Sequence, residues 1–100
     1  PQQPATIAGK VDYFDPWSSY CDGLRVKVNI DKIKQAIAAK KIRIFADVMH
    51  GAAATGLSRL LDCEIEEING DRDPLFGGNP PEPLPKYLPD LFRAIRTAAK

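Results

Sequence analysis

The groups able to do chemistry in this 100-residue chain gather around its one histidine. Asp47-Val48-Met49-His50-Gly51 runs into Ala52-Ala53-Ala54, and Asp71 and Asp73 follow after one more apolar segment. A histidine at a turn can act as a general base, or can cap the helix and hydrogen-bond a neighbouring loop. No Ser, Cys or acid adjoins His50 to make a catalytic pair, so a structural or supporting role is favoured. Asp47, at the end of an apolar run, is expected to accept from backbone N–H groups or from a residue of a following loop. Gly51 to Gly56 has the GxxxxG spacing of a phosphate-binding loop, but Leu57 and Ser58 stand where Lys and Ser/Thr would grip terminal phosphates and Mg²⁺. The GxGxxG dinucleotide fingerprint is also absent. What remains is a helix N-terminus suited to an anion or a neighbouring carboxylate, or a plain tight turn, which is favoured. Asp71-Arg72-Asp73 could pair on a hard cation, yet carboxylates in a Pro-rich stretch more often close Asx-type turns.

The elements that must place these groups are legible from periodicity and caps. Residues 6–14 alternate loosely and predict a short strand. Asp15-Pro16 then opens a helix as N-cap and first residue, with Trp17, Tyr20, Cys21 and Leu24 as its buried stripe. Asn29 caps a second helix through about Lys40, with Ile30, Ile33 and Ile37 inward and Lys32 and Lys34, like Lys40 and Lys41 at its end, toward water. The run 42–48 suits a strand covered on both faces and ended by His50-Gly51. A helix carrying Ala53, Leu57, Leu60 and Leu61 follows, then a strand with Ile65 and Ile68 closed by Asn69-Gly70. Residues 42–69 therefore predict a βαβ unit with parallel strands, whose functional edge lies at the strands' C-terminal ends. The Pro- and Gly-rich stretch 70–85 is expected to be a packed, ordered loop, since Leu75, Phe76 and Leu84 give it apolar anchors. A last helix, with Leu88, Leu91, Phe92, Ile95 and Ala99 at helical spacing, begins at Pro85 or Pro89.

Composition narrows the partners. With 14 Lys+Arg against 13 Asp+Glu the net charge is +1, so nucleic acid is not an expected partner. Apolar runs fall far short of the roughly 20 residues a membrane span needs. Cys21 and Cys63 form no CxxC pair and both fall on apolar stripes, so zinc is not expected and buried free thiols in a reducing, cytoplasmic compartment are. The chain opens Pro1-Gln2-Gln3-Pro4 without an initiator Met, and its last helical periodicity runs to Lys100, so a piece of a longer protein is expected. An unpaired sheet edge and the face of the last helix would then invite self-association.

Three blocks carry a more specific signal: Arg43-Ile44-Phe45-Ala46-Asp47-Val48-Met49-His50-Gly51; then Glu66-Glu67-Ile68-Asn69-Gly70-Asp71-Arg72-Asp73-Pro74-Leu75-Phe76-Gly77-Gly78; then Pro81-Glu82-Pro83-Leu84-Pro85. With Asp15-Pro16-Trp17-Ser18-Ser19-Tyr20 upstream, the chain resembles the α-D-phosphohexomutases, the phosphoglucomutase and phosphomannomutase family, and specifically most of the second of that family's four domains. The resemblance implies a three-layer α/β/α fold on a mainly parallel sheet, with residues 1–100 forming a single partial domain. It implies an enzyme that moves phosphate between the 1 and 6 positions of a hexose through a phosphoserine, a bound Mg²⁺ and a bisphosphorylated hexose. Its partners would be a hexose phosphate of glucose, mannose or glucosamine and the other domains of the same polypeptide. The family's Asp-Gly-Asp-x-Asp-Arg metal loop would follow Lys100, and Asp71-Arg72-Asp73 lacks its third Asp, so no catalytic or metal-ligating residue and no cofactor is expected within these residues. Asp47, His50 and Gly51 are expected to support that loop from behind without touching the metal. The competing expectation is a non-catalytic anion-binding or protein-interaction module on the same scaffold.

Overall fold

The computed structural model describes residues 8–99. Helix α1 (Pro16–Lys27) starts where the sequence places it: Asp15 accepts from the Trp17 amide, and Pro16 fills a first-turn position whose N–H has no partner to lose. That amide, then the Ser18 hydroxyl, hold the Asp15 carboxyl below its ordinary value, with Arg59 adding to them. Helix α2 (Ile30–Ala38) starts on Asn29, whose side chain accepts from the Lys32 amide. It ends two residues short of the expected Lys40, which takes a left-handed φ of 57°.

The βαβ unit is present and shorter than expected. Strand β1 (Phe45–Asp47), helix α3 (Gly56–Leu61) and strand β2 (Glu66–Ile68) make a two-stranded parallel sheet in the register Phe45 to Glu66, Ala46 to Glu67 and Asp47 to Ile68. Both strands are half-buried rather than covered on both faces, because among the described residues only two strands pair. Arg43 spans the pair with a bidentate bond to the Glu66 carboxylate at 2.7 and 2.6 Å, an exposed contact that favours this register at small energetic gain.

Helices α1 and α2 pack on α3, and helix α4 (Pro89–Ala98) packs on β1. Both candidate prolines are used: Pro85 begins a 3₁₀ turn over Pro85–Tyr87, and Pro89 begins α4. Fixed φ angles suit both starts. Arg25 locks α1 to α3 by donating to the Arg59 and Leu60 carbonyls at the C-terminal end of α3, where helix carbonyls lack partners. Arg59 returns a bond to the Asp15 carboxylate at 3.1 Å.

Four further expectations change. The described part of the 6–14 segment, residues 8–14, belongs to no helix or strand, while residues 6 and 7 lie outside the described residues. Helix α3 begins at Gly56 and not near Ala53, because residues 51–55 form turns ending on Thr55 at φ 65°. The apolar stripes are only partly covered: Cys21, Ile30 and Leu61 are buried, whereas Tyr20, Leu57, Phe92 and Ile95 remain exposed. In the 70–85 stretch none of the three expected anchors is buried: Leu75 is the most exposed, and Phe76 and Leu84 are exposed to a lesser degree. Both thiols are free, Cys21 buried and Cys63 half-buried.

Candidate functional site

The C-terminal ends of β1 and β2 carry one connected network. Asp47 accepts at Oδ1 from the Met49 amide at 3.0 Å and from Asn69 Nδ2 at 3.2 Å, the two kinds of neighbour expected of it. Asn69 Nδ2 also donates to Asp90 Oδ2 at 3.3 Å, so a single amide ties both strand ends to the first turn of α4. The backbone repeats the tie: the Val48 amide donates to the Ile68 carbonyl and the His50 amide to the Asn69 carbonyl, at 3.1 and 2.8 Å. Met49, His50 and Asn69 hold left-handed φ values of 50°, 59° and 55°. Such angles cost non-glycine residues free energy and persist where surrounding bonds over-determine them. Gly51, which the sequence marks as the turn former, is not among the positive-φ residues.

His50 reaches forward to the loop after β2. Its Nδ1 lies 3.0 Å from the Asp71 carbonyl oxygen and 3.1 Å from Asp71 Oδ1. Both are acceptors, so Nδ1 carries the proton and donates. The other side of the ring faces Gly77: a Cβ built there would come within 3.2 Å of Nε2, and the φ of +67° already restricts this position to glycine. His50 neither caps a helix nor meets a nucleophile; it clamps the loop. Asp73 does not join Asp71 in a cation pair, because its Oδ1 accepts from the Leu75 amide and its Oδ2 from the Gly77 amide, both at 2.9 Å. Those two amides, the Leu75 one first, hold the Asp73 carboxyl below its ordinary value of 3.8, and the His50 ring adds a smaller pull.

A lowered folded pKa means that the Asp73 turn contributes stability above pH 3.8 and loses it as pH falls through the depressed value. NMR titration of the Asp73 carboxyl is expected to give a midpoint below 3.8, with the Leu75 and Gly77 amides shifting alongside it; a midpoint at or above 3.8 contradicts the turn.

The Gly51–Gly56 turn holds a carboxylate of its own chain. The Thr55 amide donates to both Glu67 oxygens, at 3.0 and 2.9 Å, so the neighbouring carboxylate, one of the alternatives open from sequence, occupies this turn. Beside it lies a largely apolar cleft of about 540 Å³, walled by Trp17, Leu57, Met49 and Phe76, with Asp47 and Glu67 at its polar side. The cleft depends on Gly56, since a Cβ there would stand 2.4 Å from Trp17 Cη2. Asn69, Glu67, Asp90 and the Trp17–Gly56 contact escape a reading by motif. An Asn-Gly pair at a strand end, tolerant of left-handed φ and carrying an amide donor, is the one local signal that points to Asn69.

Among the described residues no group of three His, Cys, Asp or Glu could hold a metal ion. With both Asp73 oxygens turned to amides and Asp71 turned to His50, these residues do not fit Mg²⁺. No helix among them is long and apolar enough to cross a membrane.

Comparison with known proteins agrees with this topology. The family described as phosphoglucomutase/phosphomannomutase, alpha/beta/alpha domain II, matches residues 18–99. A phosphoglucosamine/phosphogalactosamine mutase of Sulfurisphaera tokodaii is 36% identical over 83 residues, covering 80% of this chain and 17% of the relative. A probable phosphoglucosamine mutase of Methanopyrus kandleri is 30% identical over 80 residues, covering 75% of this chain and 18% of the relative. The chain thus spans less than a fifth of the length of these relatives. No solved structure matches it.

Proposed function

Because this chain belongs to the phosphoglucomutase/phosphomannomutase family, as its α/β/α domain II, we propose that it is a scaffold domain of a phosphohexomutase that interconverts the 1- and 6-phosphates of a hexosamine. The match over residues 18–99, which takes in most of α1 and every later element, carries this reading. Both named relatives act on glucosamine phosphates by name, and this favours a hexosamine over an unsubstituted hexose. In that enzyme a phosphoserine and Mg²⁺ would supply the chemistry of phosphoryl transfer from elsewhere in the polypeptide, where positioning and electrostatics do most of the work.

This chain's own residues then position. Asp47 and Asn69 fasten the strand ends to each other and to α4, and His50 clamps the loop that follows β2. Asp47, His50 and Gly51 together hold rigid the edge on which an open α/β sheet presents its functional loops. No residue here is assigned to bond making. The 100 residues by themselves are expected to show no mutase turnover and no Mg²⁺ binding above background.

The test is made on the full-length gene product with glucosamine 6-phosphate, glucose 6-phosphate and mannose 6-phosphate as separate substrates, following formation of the 1-phosphate. Turnover is expected with the glucosamine ester at the highest kcat/KM. No turnover of any of the three refutes the mutase reading, and preference for glucose or mannose refutes the hexosamine assignment.

A further inference from the structure

Asn69 is followed by Gly70, and asparagine before glycine is the pair most open to loss of its side-chain amide. In that reaction the Gly70 backbone nitrogen attacks Asn69 Cγ, the new C–N bond closes a succinimide ring, and Nδ2 leaves as ammonia with the proton of the Gly70 amide. Water then opens the ring at either carbonyl, giving aspartate or isoaspartate. Glycine leaves the attacking nitrogen unshielded, since no Cβ stands beside it. Both residues are nevertheless demanded by the fold. Asn69 carries the amide that donates to Asp47 Oδ1 at 3.2 Å and to Asp90 Oδ2 at 3.3 Å, at a φ of 55° that asparagine tolerates. A Cβ at position 70 would stand 2.6 Å from Glu67 Oε1, the oxygen held 3.0 Å from the Thr55 amide, so a side chain there would push that carboxylate off the turn before α3.

The same two bonds oppose the reaction. Ring closure requires the carboxamide to turn onto its own C-terminal peptide, and a carboxamide whose Nδ2 is held by two half-buried carboxylates cannot turn without releasing both. We propose that Asn69-Gly70 is a modification site closed by the native network: it deamidates only when the ends of β1 and β2 part from α4, and conversion prevents them from rejoining. The aspartate product has no N–H to donate and sets a third carboxylate beside Asp47 and Asp90, so a shared donor is replaced by like-charge repulsion. Isoaspartate also reroutes the main chain through Cβ and turns the carbonyl that accepts from the His50 amide, at 2.8 Å, into a side-chain carboxylate. Either product would loosen the His50 turn from the end of β2, so the site makes a lasting opening of this edge irreversible. Nothing in this chemistry depends on the reaction the parent enzyme catalyses.

The test incubates the full-length gene product and a synthetic peptide of residues 64–75 in mildly alkaline buffer and quantifies aspartate and isoaspartate at position 69 by peptide mapping. The peptide is expected to convert, and the folded protein to convert at least about 100-fold more slowly, as for a group reached only through local opening. Asp90→Ala removes one anchor and should speed conversion in the folded protein about fivefold or more, the factor that one lost hydrogen bond gives. Gly56→Ala, which weakens the packing of α1 on α3 instead, should speed it less when the two variants are compared at the same fraction folded. Asn69→Asp, which makes the product directly, should lower Tm and speed hydrogen exchange of the His50 amide. Four results each overturn the inference: a peptide that does not convert, a folded protein that converts at the peptide's rate, equal rates in Asp90→Ala and Gly56→Ala, or Asn69→Asp with wild-type Tm and wild-type exchange at His50.

Discussion

Gly56→Val is expected to destabilise the chain strongly, lowering Tm and red-shifting the emission of Trp17. The reason is steric. A Cβ at position 56 would lie 2.4, 2.9 and 3.0 Å from three carbons of the Trp17 ring, distances that ordinary packing does not allow. Trp17 is half-buried and Gly56 is buried, so either the ring leaves the cleft or α3 moves away from α1. Overpacking of this kind costs about 1–3 kcal/mol, and a domain whose buried apolar side chains among the described residues are Cys21, Ile30 and Leu61 has little reserve against it. Gly56→Ala should show the same direction with a smaller shift. Wild-type Tm and an unshifted Trp17 spectrum in both variants would contradict the packing described here.

Replacing His50 is expected to cut kcat of the full-length enzyme by tenfold or more, the scale of effect seen when groups that orient a metal site from behind are removed. His50→Ala removes the Nδ1–H that holds the Asp71 carbonyl and carboxylate. It also leaves alanine at a φ of 59°, at a cost of about 1 kcal/mol. His50→Asn separates these effects, because asparagine tolerates left-handed backbone and keeps a donor. Partial recovery of kcat in the asparagine variant, at a Tm close to wild type, is the signature of positioning. Near-normal kinetics in His50→Ala would show that the clamp does not serve the reaction.

The two substitutions differ in how far sequence alone could have reached them. His50 stands out by its type, by ending an apolar run and by preceding glycine. Its contact with Asp71 meets half of the expectation, the bond to a neighbouring loop, while the helix capping expected with it is not found. Gly56 offers no such signal. Its constraint comes from Trp17, on a different helix, and glycine in a GxxxxG spacing points instead to a phosphate loop whose chemistry is absent. Likewise the start of α3 is displaced from Ala53 to Gly56, where the preceding turn is held by a carboxylate on β2, and no local pattern could include that bond.

The sequence by itself determined what short-range physics decides. Asp15-Pro16 and Asn29 specify two helix starts because a cap bond closes within three residues. The alternation of apolar run, helix and apolar run over 42–69 specifies parallel pairing because the connection is too long for a hairpin and suits a crossover. Only the tertiary structure decided where the strain resides, on Met49, His50 and Asn69 rather than on Gly51, since the amides and carboxylates that hold those angles come from the facing strand and from Asp47. It decided too that Asp73 closes a turn while Asp71 meets His50, though the two lie two residues apart. And it decided that residues 8–14, strand-like in pattern, are not a strand among the described residues, because a ladder needs a second chain segment that periodicity cannot supply.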